Sequence, residues 1–459
     1  MTTPALESLR QFRQNLYNCF TRRADASLNF LDALTQATEV ESPVTLSESP
    51  AFERDYPSIY DVLGAADLDR AALCQTLYAS QPEICKTLAG YEVYATDTTP
   101  EERPEAKTLP DRVPLKSQRD APAVPGHKYS WLVRLVLPGR SWCAPQDVER
   151  IPSDTTSNLV ATEQVRRLDQ QSPQPKVVVA DSGYANGVFL AVFLLVKTVV
   201  ALVRLRNNQV VYQAPGPYKG KGRRPVHGPK FKLSAPHHRA DREETTQLLG
   251  QTLRLQAWCN VHLYKLPALV GMVVCVEFLR PDGTRRYRYP LWLFWTGLPS
   301  VPLIDLGSMY LWRFMIEHLF RFLKQHLGLN NANMTQLHSV EQWMWLCGLA
   351  YWQLLLMAEV VKSQVPTWQR QPKQTEPLAL SPRQVQRACP AFFAKLGTPA
   401  QLPRPAGKAP GRAAGFHPAP RTRYPVINKS QSTARIAATA AWWPLVPVSS
   451  SITVKVRAS

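Results

Sequence analysis

Three carboxylates stand where a fold could bring them together. Asp97 follows the extended run Tyr91–Thr96, Asp181 follows the β-branched run Lys176–Ala180 (KVVVA), and Glu317 lies inside a helical pattern. Acids at strand ends converge at one sheet edge, and a helix packed across that edge can add a third. Two or three converging carboxylates are the minimum for holding a pair of hard cations about 3.5–4 Å apart. Taken singly, each has a bland explanation, because an Asp at a strand end commonly forms a turn or caps a helix.

The segment around Glu317 sharpens the case. Tyr310, Arg313, Glu317 and Lys324 lie at offsets 0, 3, 7 and 14 in a helix expected over Tyr310–Leu327. At about 100° per residue they fall within an arc of roughly 60°, so one face carries all four. Ile316, Leu319, Phe320 and Leu323 supply an adjacent apolar stripe. A carboxylate flanked by Arg and Lys suits a site that must tolerate phosphates. A simple ion pair between Arg313 and Glu317, one turn apart, is the structural alternative.

These residues resemble a known family. Tyr310, Arg313, Glu317 and Lys324 meet the pattern Y-x2-R-x3-E-x6-K in full, which is similar to the YREK signature of DDE-class insertion-sequence transposases. Asp181-Ser-Gly-Tyr184 is similar to the motif carrying that family's second Asp, and Tyr94-Ala-Thr-Asp97 resembles the strand bearing its first. The resemblance covers about residues 90–365. It implies an α/β, ribonuclease-H-like mixed sheet with a β-rich insertion between the second Asp and the Glu. It implies metal-dependent cleavage at transposon ends, then transfer of the 3′ ends into target DNA. Two Mg²⁺ ions, or Mn²⁺, would be held by Asp97, Asp181 and Glu317. Arg313 and Lys324 would neutralise phosphates, with Tyr184 and Tyr310 in support. The implied partners are double-stranded DNA and further copies of the chain, with no membrane. One departure is the long segment between Asp97 and Tyr129, rich in Pro and charge, which leaves Asp111 and Asp120 as alternatives for the first acid.

The elements that must position these groups show in the patterning. Helices are expected over Leu9–Phe20, Ser27–Ala37 and Asp67–Tyr78, then a proline-broken loop from Pro100 to Pro125. Tyr129–Leu137 reads as a strand, Thr155–Asp169 as a helix, Val188–Val196 as a helix and Val199–Leu205 as a strand. Strands follow at Leu253–Leu263, Val270–Leu279 and Arg285–Phe294, and a last helix at Val340–Val361. The expected organisation is a helical region over 1–88 with possible DNA-end binding, a catalytic unit split over 89–206 and 301–365, a β-rich insertion over 207–300, and a basic, flexible tail over 366–459.

Charge and composition narrow the function class. The chain has 459 residues, enough for about three domains, and its net charge is 54 − 35 = +19. That surplus favours a polyanion such as nucleic acid. Arg204–Arg239 holds nine Lys or Arg and no acid, with Lys219, Lys221, Arg223 and Arg224 in its Gly- and Pro-rich centre; Arg383–Arg457 adds twelve. The eight cysteines form no CxxC pair, which suits a reducing cytosol. No secretory signal opens the chain, and the apolar stretches Val188–Val203 and Trp343–Ala358 read as core, so a cytoplasmic, nucleoid-associated protein is expected. His227, His237 and His238 could suggest a metal, though no further ligand has the right spacing. Trp258, Trp292 and Trp295 could stack a displaced base or simply fill a core. The rival readings are a DNA-binding relative that has lost catalysis, and a nuclease that hydrolyses without joining.

Overall fold

A computed structural model describes residues 4–82, 85–116, 122–136, 141–218, 220, 222–235, 239–361, 380–404, 407 and 411–428. The N-terminal region is helical: α1 (Pro4–Cys19), α2 (Ala24–Gln36), α3 (Pro57–Ala65) and α4 (Arg70–Ala79). A short ribbon of β1 (Phe20–Arg22) and β2 (Asp67–Leu68) ties its turns together. Leu9, Phe12 and Leu16 recur at helical spacing on α1 and are buried. The same face buries Arg13, whose guanidinium is bidentate to Asp32 of α2 and donates to Gln353 at 2.5 Å. These helices are therefore pinned to the rest of the molecule.

The central unit comprises β3 (Glu92–Glu102), β4 (Val113–Leu115), β5 (Val124–Leu135), β6 (Cys143–Ile151), α5 (Ser157–Gln171), β7 (Lys176–Ala180), α6 (Gly187–Leu190) and β8 (Val199–Leu205). Strands lie in the order β6-β5-β3-β7-β8, with β3, β7 and β8 parallel and β5 and β6 antiparallel. A helix connects β6 to β7. This is the ribonuclease-H-like arrangement, a mixed sheet with helices on both faces. KVVVA is buried throughout because both faces of β7 are covered, which is why it reads as an unbroken β-branched run. Val177 and Val179 face the layer of late helices, while Val178 and Ala180 face α5 and α6.

The strands that follow extend the same sheet: β9 (Val210–Gln213), β10 (Lys230–Lys232), β11 (Arg242–Leu248), β12 (Gln251–Leu263), β13 (Leu266–Leu279) and β14 (Leu291–Trp295). β14 pairs antiparallel with β8, giving a sheet of twelve strands. Helices α7 (Leu303–Trp312), α8 (Met315–His326), α9 (Leu337–Met357), α10 (Pro382–Ala388) and α11 (Pro390–Leu396) follow the sheet. α9 is mostly apolar and buried on every side from Gln342 to Met357, packed against α1, α2 and α3. No helix among the described residues is long and apolar enough to cross a membrane.

Several sequence expectations are corrected. The Pro100–Pro125 loop is shorter, because β3 runs on to Glu102 and β5 begins at Val124. Beyond Ala95 β3 no longer has β7 beside it, and a proline lacking its N–H is tolerated on such an edge. β6 was not expected, since CAPQDVERI carries a proline and three charges without clean alternation. β14 is shorter than Arg285–Phe294, because Arg285–Tyr289 lie exposed before it. The helix expected at Val188–Val196 is one short turn, α6, continued as a 3₁₀ turn over Ala191–Leu194. Tyr310–Leu327 is not one helix but two: at the joint the backbone tightens, and the amides of Arg313 and Glu317 reach the carbonyls three residues back, at 3.1 Å each. The joint lets α7 lie over β7 and β8 while α8 lies over β3 and β5 of a twisted sheet.

Parts of the basic tail are ordered as well. Ser381 and Gln384 form a capping box on α10, and Val385 and Cys389 are buried. Further on, the amides of Tyr424 and Ile427 bond to the carbonyls of Lys107 and Arg112 at 2.8 Å each. Of the tail expected to be flexible, residues 366–379, 405, 406, 408–410 and 429–459 lie outside the described residues.

Candidate active site

Sheet register sets the first two acids side by side. β3 pairs with β7 through Ala95↔Val179, and the same register carried two residues further brings Asp97 level with Asp181. Neighbouring strands lie about 4.8 Å apart, so two level side chains on one face are neighbours. Alternation puts Asp97 on the face of Val93 and Ala95, and Asp181 on that of Val177 and Val179, the side covered by α7, α8 and α9. Asp97 is mid-strand, not at a strand end as expected, because β3 continues along β5, with Asp97 opposite Trp131, after β7 has stopped. Asp181 opens a tight turn: its Oδ1 accepts the Gly183 amide at 2.9 Å, and its carbonyl accepts the Tyr184 amide at 3.2 Å. A Cβ at Gly183 would stand 3.0 Å from that same Oδ1, a reason for glycine there.

Arg313, at the α7–α8 joint, ties the third acid to this pair. Its Nη1 donates to Asp97 Oδ2 at 2.9 Å and its Nη2 to Glu317 Oε1 at 3.1 Å. Sequence spacing foresaw the Glu317 pair but not the bridge to Asp97, which depends on where α8 crosses β3. Burial pushes the Asp97 carboxyl upward; Arg313 and the Thr98 amide oppose this, and the nearby Asp181 adds to it. Tyr184 is buried, and its hydroxyl is pushed up first by burial and then by the charge of Asp97. Tyr310 is raised by burial, with Arg313 and Arg204 pulling the other way. The Arg313 guanidinium lies 6.0 Å from the Tyr310 ring centre.

Arg204 is a site residue that sequence reasoning counted only as the first of a basic run. Ala180↔Val203 pairing places it level with Asp181 on the next strand, on the face of Leu202, and it is exposed. Its signal in the sequence was a lone charge inside VVALVRL, in alternation with the buried Leu202.

Other expected residues fall elsewhere. Lys324 lies two turns beyond Glu317 on α8, where its charged neighbour is Glu102 and burial lowers its pKa. Asp111 is bound to Arg150 at 2.6 Å and accepts the Ser153 amide at 3.1 Å, a structural role. Burial would raise its carboxyl, but those hydrogen bonds prevail and hold it below its usual range. Arg223 and Arg224 are exposed, with Arg224 over the Tyr218 ring. His227 faces His262, Nδ1 to Nε2 at 3.0 Å, and stacks on Tyr264. Trp258 and Trp292 pack on each other in the core, and buried Trp295 donates to the Leu298 carbonyl at 2.9 Å, so all three are packing residues. Asp120, Lys219, Lys221, His237 and His238 lie outside the described residues.

A family model described as DDE superfamily endonuclease matches residues 15–265, more than half of the chain. The chain belongs to the DDE superfamily endonucleases. The match spans Asp97 and Asp181 and ends before the α7–α8 joint, so Arg313 and Glu317 enter on geometry. No curated protein matches. A solved structure similar to this chain is a piggyBac transposase synaptic complex with hairpin DNA, at 10% identity, covering 90% of this chain and 85% of that one, with a TM-score of 0.38.

DDE endonucleases generally use divalent metal ions. Three carboxylates and the oxygen-only chemistry they offer suit a hard cation. Yet among the described residues no three His, Cys, Asp or Glu side chains converge to hold one. What stands between Asp97 and Glu317 is the Arg313 guanidinium.

Proposed function

We propose that this endonuclease is a DNA transposase that cleaves at transposon ends and transfers the 3′ ends into target DNA. The observation carrying this reading is the register that levels Asp97 with Asp181 beneath the helix bearing Glu317. Divalent cations held by these three, Mg²⁺ or Mn²⁺, would activate a water or 3′-hydroxyl and stabilise the leaving oxygen. The chain's own groups do the rest. Arg204 and Arg313 offer guanidinium forks to phosphate oxygens beside the acids, and both act on the buried Tyr310. Lys324, two turns further along α8, meets the DNA backbone away from the scissile phosphate. Residues 89–206 and 301–365 form the catalytic unit, 207–300 a β-rich lobe inserted into it, and 1–88 a helical region open to element ends. Incubation with candidate element ends and Mg²⁺ tests the reading. Cleaved and joined products support it; cleavage without joining makes the protein a hydrolytic nuclease, and neither product makes it a DNA-binding relative without catalysis.

DNA is held, on this reading, largely without reading sequence. The exposed Arg223 and Arg224, with Lys219 and Lys221, sit among Gly and Pro, which cannot build a rigid recognition helix. Each neutralised phosphate contributes about −0.9 to the log–log salt slope. Replacing all four with Ala is expected to flatten that slope by a few units and to weaken specific and random duplexes alike. Titrations of both duplexes at several salt concentrations check this; an unchanged slope would show the loop to be a solvated surface only.

A further inference from the structure

We infer that Arg313 is an internal counter-cation, which occupies the metal site until a DNA phosphate draws it away. The inference rests on reading Asp97, Asp181 and Glu317 as the cation-holding set. Arg313 neutralises two of those acids at once, one from a strand and one from a helix, with contacts of 2.9 and 3.1 Å. Its side chain is only 14% exposed, against 25% for Asp97 and 42% for Glu317. Arg313 is therefore the least exposed of the three side chains in the bridge. An arginine does not deprotonate in a protein, so this positive charge leaves the site only by moving. A divalent ion entering without DNA must displace two charge-assisted hydrogen bonds. A phosphate lying across the site supplies a competing bidentate partner for the same fork, the partner that guanidinium geometry suits best.

Position favours such a movement. Arg313 belongs to neither helix: it stands at the tightened turn between α7 and α8, followed by the exposed Phe314. Across the site Arg204 is level with Asp181, so a phosphate reaching Arg313 meets a second guanidinium there. If DNA releases the acids, DNA and metal must each strengthen binding of the other by the same factor. An arginine of this kind keeps the site unloaded in free protein and lets it load on the duplex.

Mn²⁺ binding to the full chain, followed by calorimetry and by the electron paramagnetic resonance signal of the free ion, tests this without any turnover. Arg313→Gln is expected to bind Mn²⁺ without DNA about tenfold more tightly than the parent, within the usual range of site-to-site coupling. Arg313→Lys, which retains the charge but not the fork, should gain less. A short duplex should raise Mn²⁺ affinity in the parent and leave Arg313→Gln nearly unchanged. A purely structural ion pair predicts the opposite sign, because losing it would loosen the acids and weaken Mn²⁺ binding. If Arg313→Gln binds no tighter than the parent while Asp97→Asn weakens binding in both, the counter-cation idea fails and the cation-holding reading stands. If Asp97→Asn changes Mn²⁺ binding in neither background, that reading fails and takes the inference with it. Should Arg313→Gln not fold, judged by its melting curve, the duplex effect on the parent alone decides: no gain in Mn²⁺ affinity overturns the proposal.

Discussion

Asp97→Asn, Asp181→Asn and Glu317→Gln are each expected to lower DNA cleavage by orders of magnitude while duplex binding survives. Each change removes one negative charge and keeps the side chain's shape, so the effect falls on cation holding and not on the fold. Asp97 and Asp181 are only partly buried, and no apolar packing depends on their charge. Asp97→Asn and Glu317→Gln also each free one arm of Arg313, so their losses should come with slightly altered DNA affinity. Ca²⁺ in place of Mg²⁺ should support binding but impair chemistry, because Ca²⁺ accepts looser geometry and more ligands. The measurement is strand cleavage on a labelled duplex beside a binding titration of the same variant. Normal cleavage by Glu317→Gln would remove α8 from the active site.

The second large effect is on stability and lies far from the acids. Arg13 is 1% exposed and Asp32 6% exposed, and their ion pair is completed by Gln353 of α9 and by the Gly397 carbonyl at 3.2 Å. Gln353 in turn donates to Thr35 Oγ1 at 2.9 Å. Removing one partner leaves the other charge buried and uncompensated, which costs about 3–5 kcal/mol. Against a typical total of about 5–15 kcal/mol, Arg13→Met or Asp32→Leu alone should shift the unfolding midpoint strongly or abolish soluble expression. Replacing both together should recover most of the loss, since a matched apolar pair leaves no stranded charge. Denaturant titrations of the two single variants and the double variant provide the test. Single variants as stable as the parent would mean that water reaches the pair. The same network makes α1 and α2 a structural part of the molecule, so truncating these helices should unfold the chain rather than isolate a catalytic unit.

How much of this was legible in the sequence differs from element to element. KVVVA and VVALVRL were read to the residue as β7 and β8, because strands buried on both faces have one unmistakable composition. α1 and α2 were visible through their apolar spacing, whereas Arg13 inside that spacing gave no sign of a buried partner. β6 escaped because Asp147, Glu149 and Arg150 interrupt it; Asp147 and Glu149 are answered by Arg167 of α5, and Arg150 by Asp111 and Glu341. Asp97, expected at a strand end, is mid-strand, since β3 runs on along β5 to Glu102 after its pairing with β7 has stopped. At the site, helical spacing brought Tyr310, Arg313 and Glu317 into one neighbourhood but could not reveal the tightened joint that leaves Tyr310 on α7 and puts Glu317 and Lys324 on α8. The Arg313–Asp97 contact spans 216 positions and follows only from how α8 crosses the sheet.

Because β12, β13, β14, β8, β7 and β3 form one unbroken hydrogen-bonded plate, the lobe and the acids cannot swing independently. Such a plate works as a ruler. If, as proposed, the lobe grips DNA, the gripped nucleotide would lie at a set number of base pairs from the phosphate that is cut, a number built into the strand register. An element end lengthened by five base pairs (about half a helical turn) between grip and cut should therefore lose cleavage outright, where a lobe on a hinge would shift the cut along with the insertion.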